Sequence, residues 1–177
     1  VVIHAAALKH LPMLESFPGE AWKTNVLGTA NVLQAALEAG VETFVNISTD
    51  KAADPTSVLG RSKLLAEQLT AWASIQGSGS YVSVRFGNVL GSRGSLVPTL
   101  RYLIENDQPV TITHPDATRY FMTIPEACQL VLQAATQHDM KSVFVLNMGD
   151  PVRILDVAQR MIELSGKQVE ILYTGLR

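Results

Sequence analysis

The segment Phe44-Val45-Asn46-Ile47-Ser48-Thr49-Asp50-Lys51 passes from an apolar run into hydroxyls, a carboxylate and an amine, and Lys63 follows twelve residues after Lys51. Read as a buried strand and the helix after it, the segment puts four polar side chains at a strand's C-terminal end. Open α/β sheets bind their ligands there. A hydroxyl, a carboxylate and two amines converging on one crevice are the material of proton transfer, since burial and neighbouring charge can poise such groups as acid and base. Ser, Thr and Asp also cap helices and close turns, and taken alone these positions fit that simpler role.

The surrounding pattern supplies elements that would hold the crevice. Short β-rich runs at Val1 to His4, Thr43 to Ile47, Tyr81 to Phe86, Val110 to Thr113 and Val143 to Asn147 alternate with helical patterns. The helices are expected at Pro18 to Gly40, Val58 to Ile75, Leu96 to Asn106, Ile124 to Gln137 and Ile154 to Ser165. This alternation marks βαβ units and a largely parallel sheet covered on both faces. Gly40 suits a helix C-terminus. Gly28, inside the first helix, is expected to permit close packing on the sheet, because a mid-helix glycine otherwise costs about 1 kcal/mol. Trp22, Trp72 and the apolar residues around Cys128 are expected to pack the core, and His4 to sit in the core or at a sheet end without binding metal.

The composition closes off several classes of function. The 177 residues are 47% hydrophobic and 17% charged, enough to bury a core. Fourteen basic against sixteen acidic side chains give a net charge of -2, which disfavours a nucleic-acid-coating surface. The single cysteine cannot form an internal disulfide, which fits a reducing cytoplasm, and no run approaches the ~20 apolar residues of a membrane span. No metal site is expected. A Gly-rich phosphate-binding turn after the first strand is missing, and Gly77-Ser78-Gly79 does not replace it because it precedes a strand and reads as a flexible turn. The opening Val1-Val2-Ile3 resembles the inside of a buried strand, so the chain is expected to be a piece of a longer protein whose first strands lie upstream.

Five motifs in order carry a resemblance: His4-Ala5-Ala6-Ala7-Leu8-Lys9-His10, Asn25-Val26-Leu27-Gly28-Thr29, Ser48-Thr49-Asp50-Lys51, the Lys63 helix, and Arg85-Phe86-Gly87-Asn88-Val89-Leu90-Gly91. With them the sequence resembles the extended short-chain dehydrogenase/reductase superfamily, and within it the CapD-like nucleoside-diphosphate-sugar 4,6-dehydratases, UDP-N-acetylglucosamine 4,6-dehydratases among them. The resemblance implies an α/β fold with a Rossmann-like doubly wound parallel sheet and a small C-terminal substrate-binding part. Residues 1–90 would be the C-terminal part of the NAD-binding domain with the catalytic residues, and 91–177 mainly the nucleotide-sugar-binding part, with some return to the Rossmann sheet.

The resemblance also implies roles. Ala5, Ala6 and Ala7 would let NAD, in preference to NADP, lie against the strand end, with Lys9, Asn25, Ser48 and Phe86 around it. Lys63 would hold the nicotinamide ribose. The usual Tyr four residues before that lysine is Leu59 here, as in the longer members of the group. Asn88, Ser95 at a helix start, Arg119 and Arg177 would grip the diphosphate of a UDP-sugar, arginine being suited by its planar charged fork. A surface ion pair is the plain alternative for each arginine, and Arg153 is a weaker candidate.

A 4,6-dehydration makes a C4 ketone, which acidifies the C5 proton, and then expels the C6 hydroxyl. It needs two differently poised groups. The resemblance assigns Asp50 as the acid and Lys51 as the C5 base, with Thr49 hydrogen-bonded to O4. A UDP-sugar 4-epimerase, which needs no such pair, and an inert nucleotide-sugar-binding fragment are the rival readings. The parent protein is expected to be a cytoplasmic homo-oligomer, with an inner-membrane anchor outside this segment, serving surface-polysaccharide synthesis.

Overall fold

The computed structural model describes residues 1–92, 94–137, 143–145 and 148–175. In chain order these form β1 (Val2–His4), α1 (Leu11–Ser16), α2 (Pro18–Ala21), a π-helical stretch (Trp22–Leu27), α3 (Gly28–Glu38), β2 (Thr43–Thr49), a 3-10 turn (Asp50–Ala52), α4 (Val58–Gln76) and β3 (Ser80–Phe86). There follow β4 (Asn88–Val89), α5 (Leu96–Glu105), β5 (Val110–Ile112), β6 (Thr118–Arg119), β7 (Phe121–Met122), α6 (Ile124–Thr136), β8 (Val143–Val145), β9 (Val152–Arg153), α7 (Ile154–Ser165) and β10 (Ile171–Tyr173). The chain divides into two compact units, Val1–Phe86 with Cys128–Leu146, and Gly87–Ala127 with Asn147–Arg177.

The first unit is built on a sheet of order β1-β2-β3-β8 in which every pairing is parallel. Parallel strands with helices on both faces bury both rows of side chains, which is why β2 reads as a near-continuous apolar run. On one face Phe44 and Tyr81 stack with ring centroids 5.3 Å apart and pack with Leu33, Ala36 and Ala73 of α3 and α4. On the other, Val45, Val82 and Val84 meet Val131 and Ala134 of α6. Helix α4 starts where Ser57 accepts a hydrogen bond from the Gly60 amide at 3.1 Å, and α3 is stopped at Gly40, whose φ of +63° favours glycine. The Rossmann-like parallel α/β sheet expected from the sequence is present.

In the second unit α5 and α7 pack Leu100, Ile104, Ile154 and Ala158 over Val110 and Ile112. Here β5 pairs with β10 in a sheet of its own, so Val110 to Thr113 does not join the main sheet as its reading among the other strands suggested. The two-residue strands β4, β6, β7 and β9 were too short to leave a periodic pattern.

Other expectations need correction. The single helix from Pro18 to Gly40 is interrupted by the π-helical stretch, and a separate helix precedes it from Leu11. Gly28 is not pressed on the sheet: a Cβ there would meet only the Lys23 carbonyl, at an ordinary 3.6 Å. Gly77 and Gly79 are tightly packed instead of loose, since a Cβ at Gly79 would collide with the Val41 and Glu42 carbonyls and the Tyr81 ring. Trp22 and Trp72 are about half exposed, at 52% and 54%, because they lie on the outer faces of their helices. In α6 Ala127 and Val131 are buried and Leu130 is half-buried, while Cys128 and Leu132 face outward.

Candidate active site

The parallel register brings the C-terminal ends of β1, β2 and β3 to one edge. His4 stands opposite Asn46, and Thr49 opposite Phe86. Alternation along β2 turns Thr49 and Ser48 to opposite faces. At the strand end the chain tightens into the Asp50–Ala52 turn, capped by the Thr49 hydroxyl, which accepts from the Lys51 amide at 3.4 Å and donates to Asp50 Oδ1 at 2.9 Å. Lys51 Nζ lies 2.9 Å from the same Asp50 oxygen, and the two side chains are 26% and 22% exposed. The carboxylate and amine thus form a partly open ion pair with Thr49 hydrogen-bonded to it.

Lys63 reaches this edge from α4, where it is 7% exposed and donates to the Ile47 carbonyl at 2.7 Å. The other two N–H donors of the ammonium make no hydrogen bond among the described residues. Burial pushes its pKa down to about 8, with Glu67 one turn along α4 opposing the shift. His4 is buried close by, and its pKa is lowered first by burial and then by the Lys63 charge. The Thr29 hydroxyl donates to Asn25 O at 2.8 Å, so it is left to accept from His4 Nε2 at 3.0 Å. That fixes the neutral imidazole as the Nε2–H tautomer, a structural core histidine as the sequence suggested.

The loop after β1 leaves Ala5, Ala6 and Lys9 exposed and Ala7 half-buried. Asn25, fully buried in the π-helical stretch, clamps it. Its Oδ1 accepts from Leu8 N at 2.8 Å, and its Nδ2 donates to Leu8 O and to Ser62 Oγ, each at 3.0 Å. The amide is therefore fully engaged in tying the loop to α4. Ser48 turns to the α4 side and donates to Glu67. Leu59 is buried against Leu14 and Ala21, so the side chain of the usual tyrosine position lies in an apolar cluster.

In the second unit, the backbone N–H of Asn88 donates to Tyr120 O at 2.8 Å, and half-buried Arg119 donates to Thr118 O at 2.7 Å. Ser95 occupies the N-cap of α5, and its buried hydroxyl has no hydrogen-bond partner among the described residues. Arg177 lies outside the described residues. Arg153 is paired with Asp156 at 2.7 Å.

Three residues that organise this edge were given no role from the sequence: Glu67, Gly60 and Arg85, the last named only as the start of a motif. The spacing of Lys63 and Glu67, four apart on one helix face, was the available signal. Glu67 holds Arg85 by two hydrogen bonds, of 2.9 and 2.7 Å, under the sheet edge.

Comparison with known proteins agrees with this architecture. A family model described as "Polysaccharide biosynthesis protein" matches residues 1–177. The capsular polysaccharide biosynthesis protein CapD of Staphylococcus aureus is 52% identical over 180 residues, covering 99% of this chain and 30% of CapD. The UDP-glucose 4-epimerase of Rickettsia felis is 39% identical, over 99% of this chain and 52% of the epimerase. Among solved structures, MoeE5 in complex with UDP-glucose and NAD superposes with a TM-score of 0.87 at 26% identity, over 99% of this chain and 65% of that one. The chain thus spans about a third of CapD and about half of the epimerase. It belongs to the polysaccharide biosynthesis protein family whose model covers it from end to end.

Proposed function

We propose that the protein carrying this chain is an NAD-dependent nucleoside-diphosphate-sugar 4,6-dehydratase acting on UDP-N-acetylglucosamine in surface-glycan synthesis. The observation that carries the reading is the Asp50–Lys51 pair at the C-terminal edge of the sheet, with Thr49 bonded to the carboxylate. The residues at that edge fit a dinucleotide. Exposed Ala5 and Ala6 put little bulk beside the strand end, and the two uncommitted donors of Lys63 suit a ribose diol. When bound, NAD supplies hydride chemistry, accepting a hydride from sugar C4 and returning it at C6.

The chain's own residues manage the protons. As C4 is oxidised, the O4 proton passes to Thr49 Oγ1 while the Thr49 proton moves along its 2.9 Å hydrogen bond to Asp50. The partly exposed Lys51 amine gives its extra proton to water. The neutral amine then lifts the C5 proton, and the Asp50 carboxyl protonates the C6 hydroxyl, which departs as water. The Lys51 ammonium, whose protons exchange with solvent, then protonates C5 and takes a proton back from water, so Asp50 and Lys51 end the cycle as the ion pair they began as. Asn88, Ser95 and Arg119 are assigned to the nucleotide diphosphate, the unpartnered Ser95 hydroxyl supporting this at a helix N-terminus.

A UDP-sugar 4-epimerase is the second reading, favoured by the 39% identity to the Rickettsia felis enzyme. Incubating the full-length protein with UDP-N-acetylglucosamine and NAD separates the two by NMR of the product. The dehydratase gives a 4-keto-6-deoxy sugar with a new C6 methyl signal. A C4 epimer retaining its C6 hydroxyl would overturn it.

A further inference from the structure

We infer that the buried Glu67–Arg85 pair, together with the bare Cα of Gly60, positions the turn that carries Asp50 and Lys51. The inference rests on reading those two residues as the acid and base, and makes Glu67, Arg85 and Gly60 positioning residues for them.

Glu67 is 3% exposed and Arg85 17%, an expensive place for two charges. Apolar residues of similar volume would fasten α4 to the sheet as well or better, so the pair's bulk attraction does not explain it. What an ion pair adds is direction. One carboxylate oxygen of Glu67 accepts from Ser48 on β2 and from Arg85 Nε, and the other accepts from Arg85 Nη2 on β3. The same Nη2 reaches the Ala52 carbonyl of the turn at 3.4 Å. A planar guanidinium gripped along one edge has little freedom in where its remaining donors point. Strand, helix and turn are therefore referenced to one rigid group.

Gly60 holds the same turn from another direction. A Cβ at Gly60 would overlap the Lys51 carbonyl oxygen and lie 3.2 Å from both Lys51 C and Pro55 Cβ. Helix α4 can approach the Lys51 backbone this closely only without a side chain at that position. The turn's own bond from Ala53 N to Asp50 O, at 3.1 Å, closes it locally but does not set its place against α4 and β3.

The test uses the full-length protein with three changes: Arg85→Lys, which keeps the charge beside Glu67 but lacks the fork; the double change Glu67→Leu with Arg85→Met, which leaves neither charge buried alone; and Gly60→Ala. Hydrogen exchange at the Ala53 amide, thermal midpoint, and kcat against KM are read for each. The expected result is Ala53 exchange roughly tenfold faster by local opening, with kcat down about 10²-fold from misplacement of the pair and KM within about threefold. A folded double variant with wild-type exchange at Ala53 and wild-type kcat would overturn the inference. Should the double variant fail to fold, Arg85→Lys decides by the same readouts. Should the wild type make no dehydrated product, the function reading fails, and exchange at Ala53 still decides whether these residues hold the turn.

Discussion

Lys63 Nζ donates to the Ile47 carbonyl at 2.7 Å, two residues before Thr49, so the amine of α4 is tied to the strand whose end holds the proposed acid–base pair. The bond holds an ammonium in a site whose burial opposes its charge. That conflict has a thermodynamic signature.

Between a folded pKa of about 8 and the ordinary 10.5, the unfolded chain binds more protons at Lys63 than the folded one. The residue's penalty on stability is therefore full below pH 8 and is relieved as pH rises through that window. Lys63→Met removes the titration. The variant is expected to be more stable than wild type at pH 7 by about 2 kcal/mol, allowing for the lost bond to Ile47, and the advantage should shrink toward zero near pH 10. Urea unfolding of both proteins across this range checks it. An advantage independent of pH would contradict the assignment.

Asn25→Ala frees both backbone groups of Leu8 and the Ser62 hydroxyl from a fully buried amide. A loss of about 2–3 kcal/mol is expected for three hydrogen bonds at such a site, with faster hydrogen exchange across residues 5–10 while β3 stays protected. Denaturant titration and exchange mass spectrometry measure both effects. Exchange confined to its wild-type rate in that loop would show that the clamp is held elsewhere.

Restoring tyrosine at the position four residues before Lys63 should not restore a phenol base. Leu59 is 6% exposed and packs against Leu14 and Ala21, so the larger ring overfills an apolar cluster. Leu59→Tyr is expected to cost about 1–3 kcal/mol without raising kcat. A variant faster than wild type would place the phenol in the crevice and undo the Thr49–Asp50 proton route.

Much of the scaffold was legible because both-face burial imposes a simple rule: β2 and β3 had to be apolar runs, and the polar residues ending β2 had to mark the sheet edge. Asn25 was reached only through resemblance, and its geometry as a loop clamp depends on a π-helical stretch that has no sequence period of its own. Glu67 was hidden because a glutamate inside a helix reads as solvent-facing. Its burial is set by Arg85, whose contact is fixed only when α4 lies on the sheet. Trp22 and Trp72 misled for the converse reason, since large apolar side chains on outward helix faces look in sequence like core. The short strands of the second unit pair residues too few to alternate.

The charge division at the strand end is the part of the account most open to direct measurement. Full-length wild type and Lys51→Met are incubated with UDP-N-acetylglucosamine and NAD in D2O, and the product is read by NMR and mass. The account predicts that wild type delivers the original C4 hydrogen to C6 and solvent deuterium to C5, and that Lys51→Met yields less than about 1% of the 4-keto-6-deoxy product, as loss of a general base requires. Wild-type turnover by Lys51→Met would contradict it.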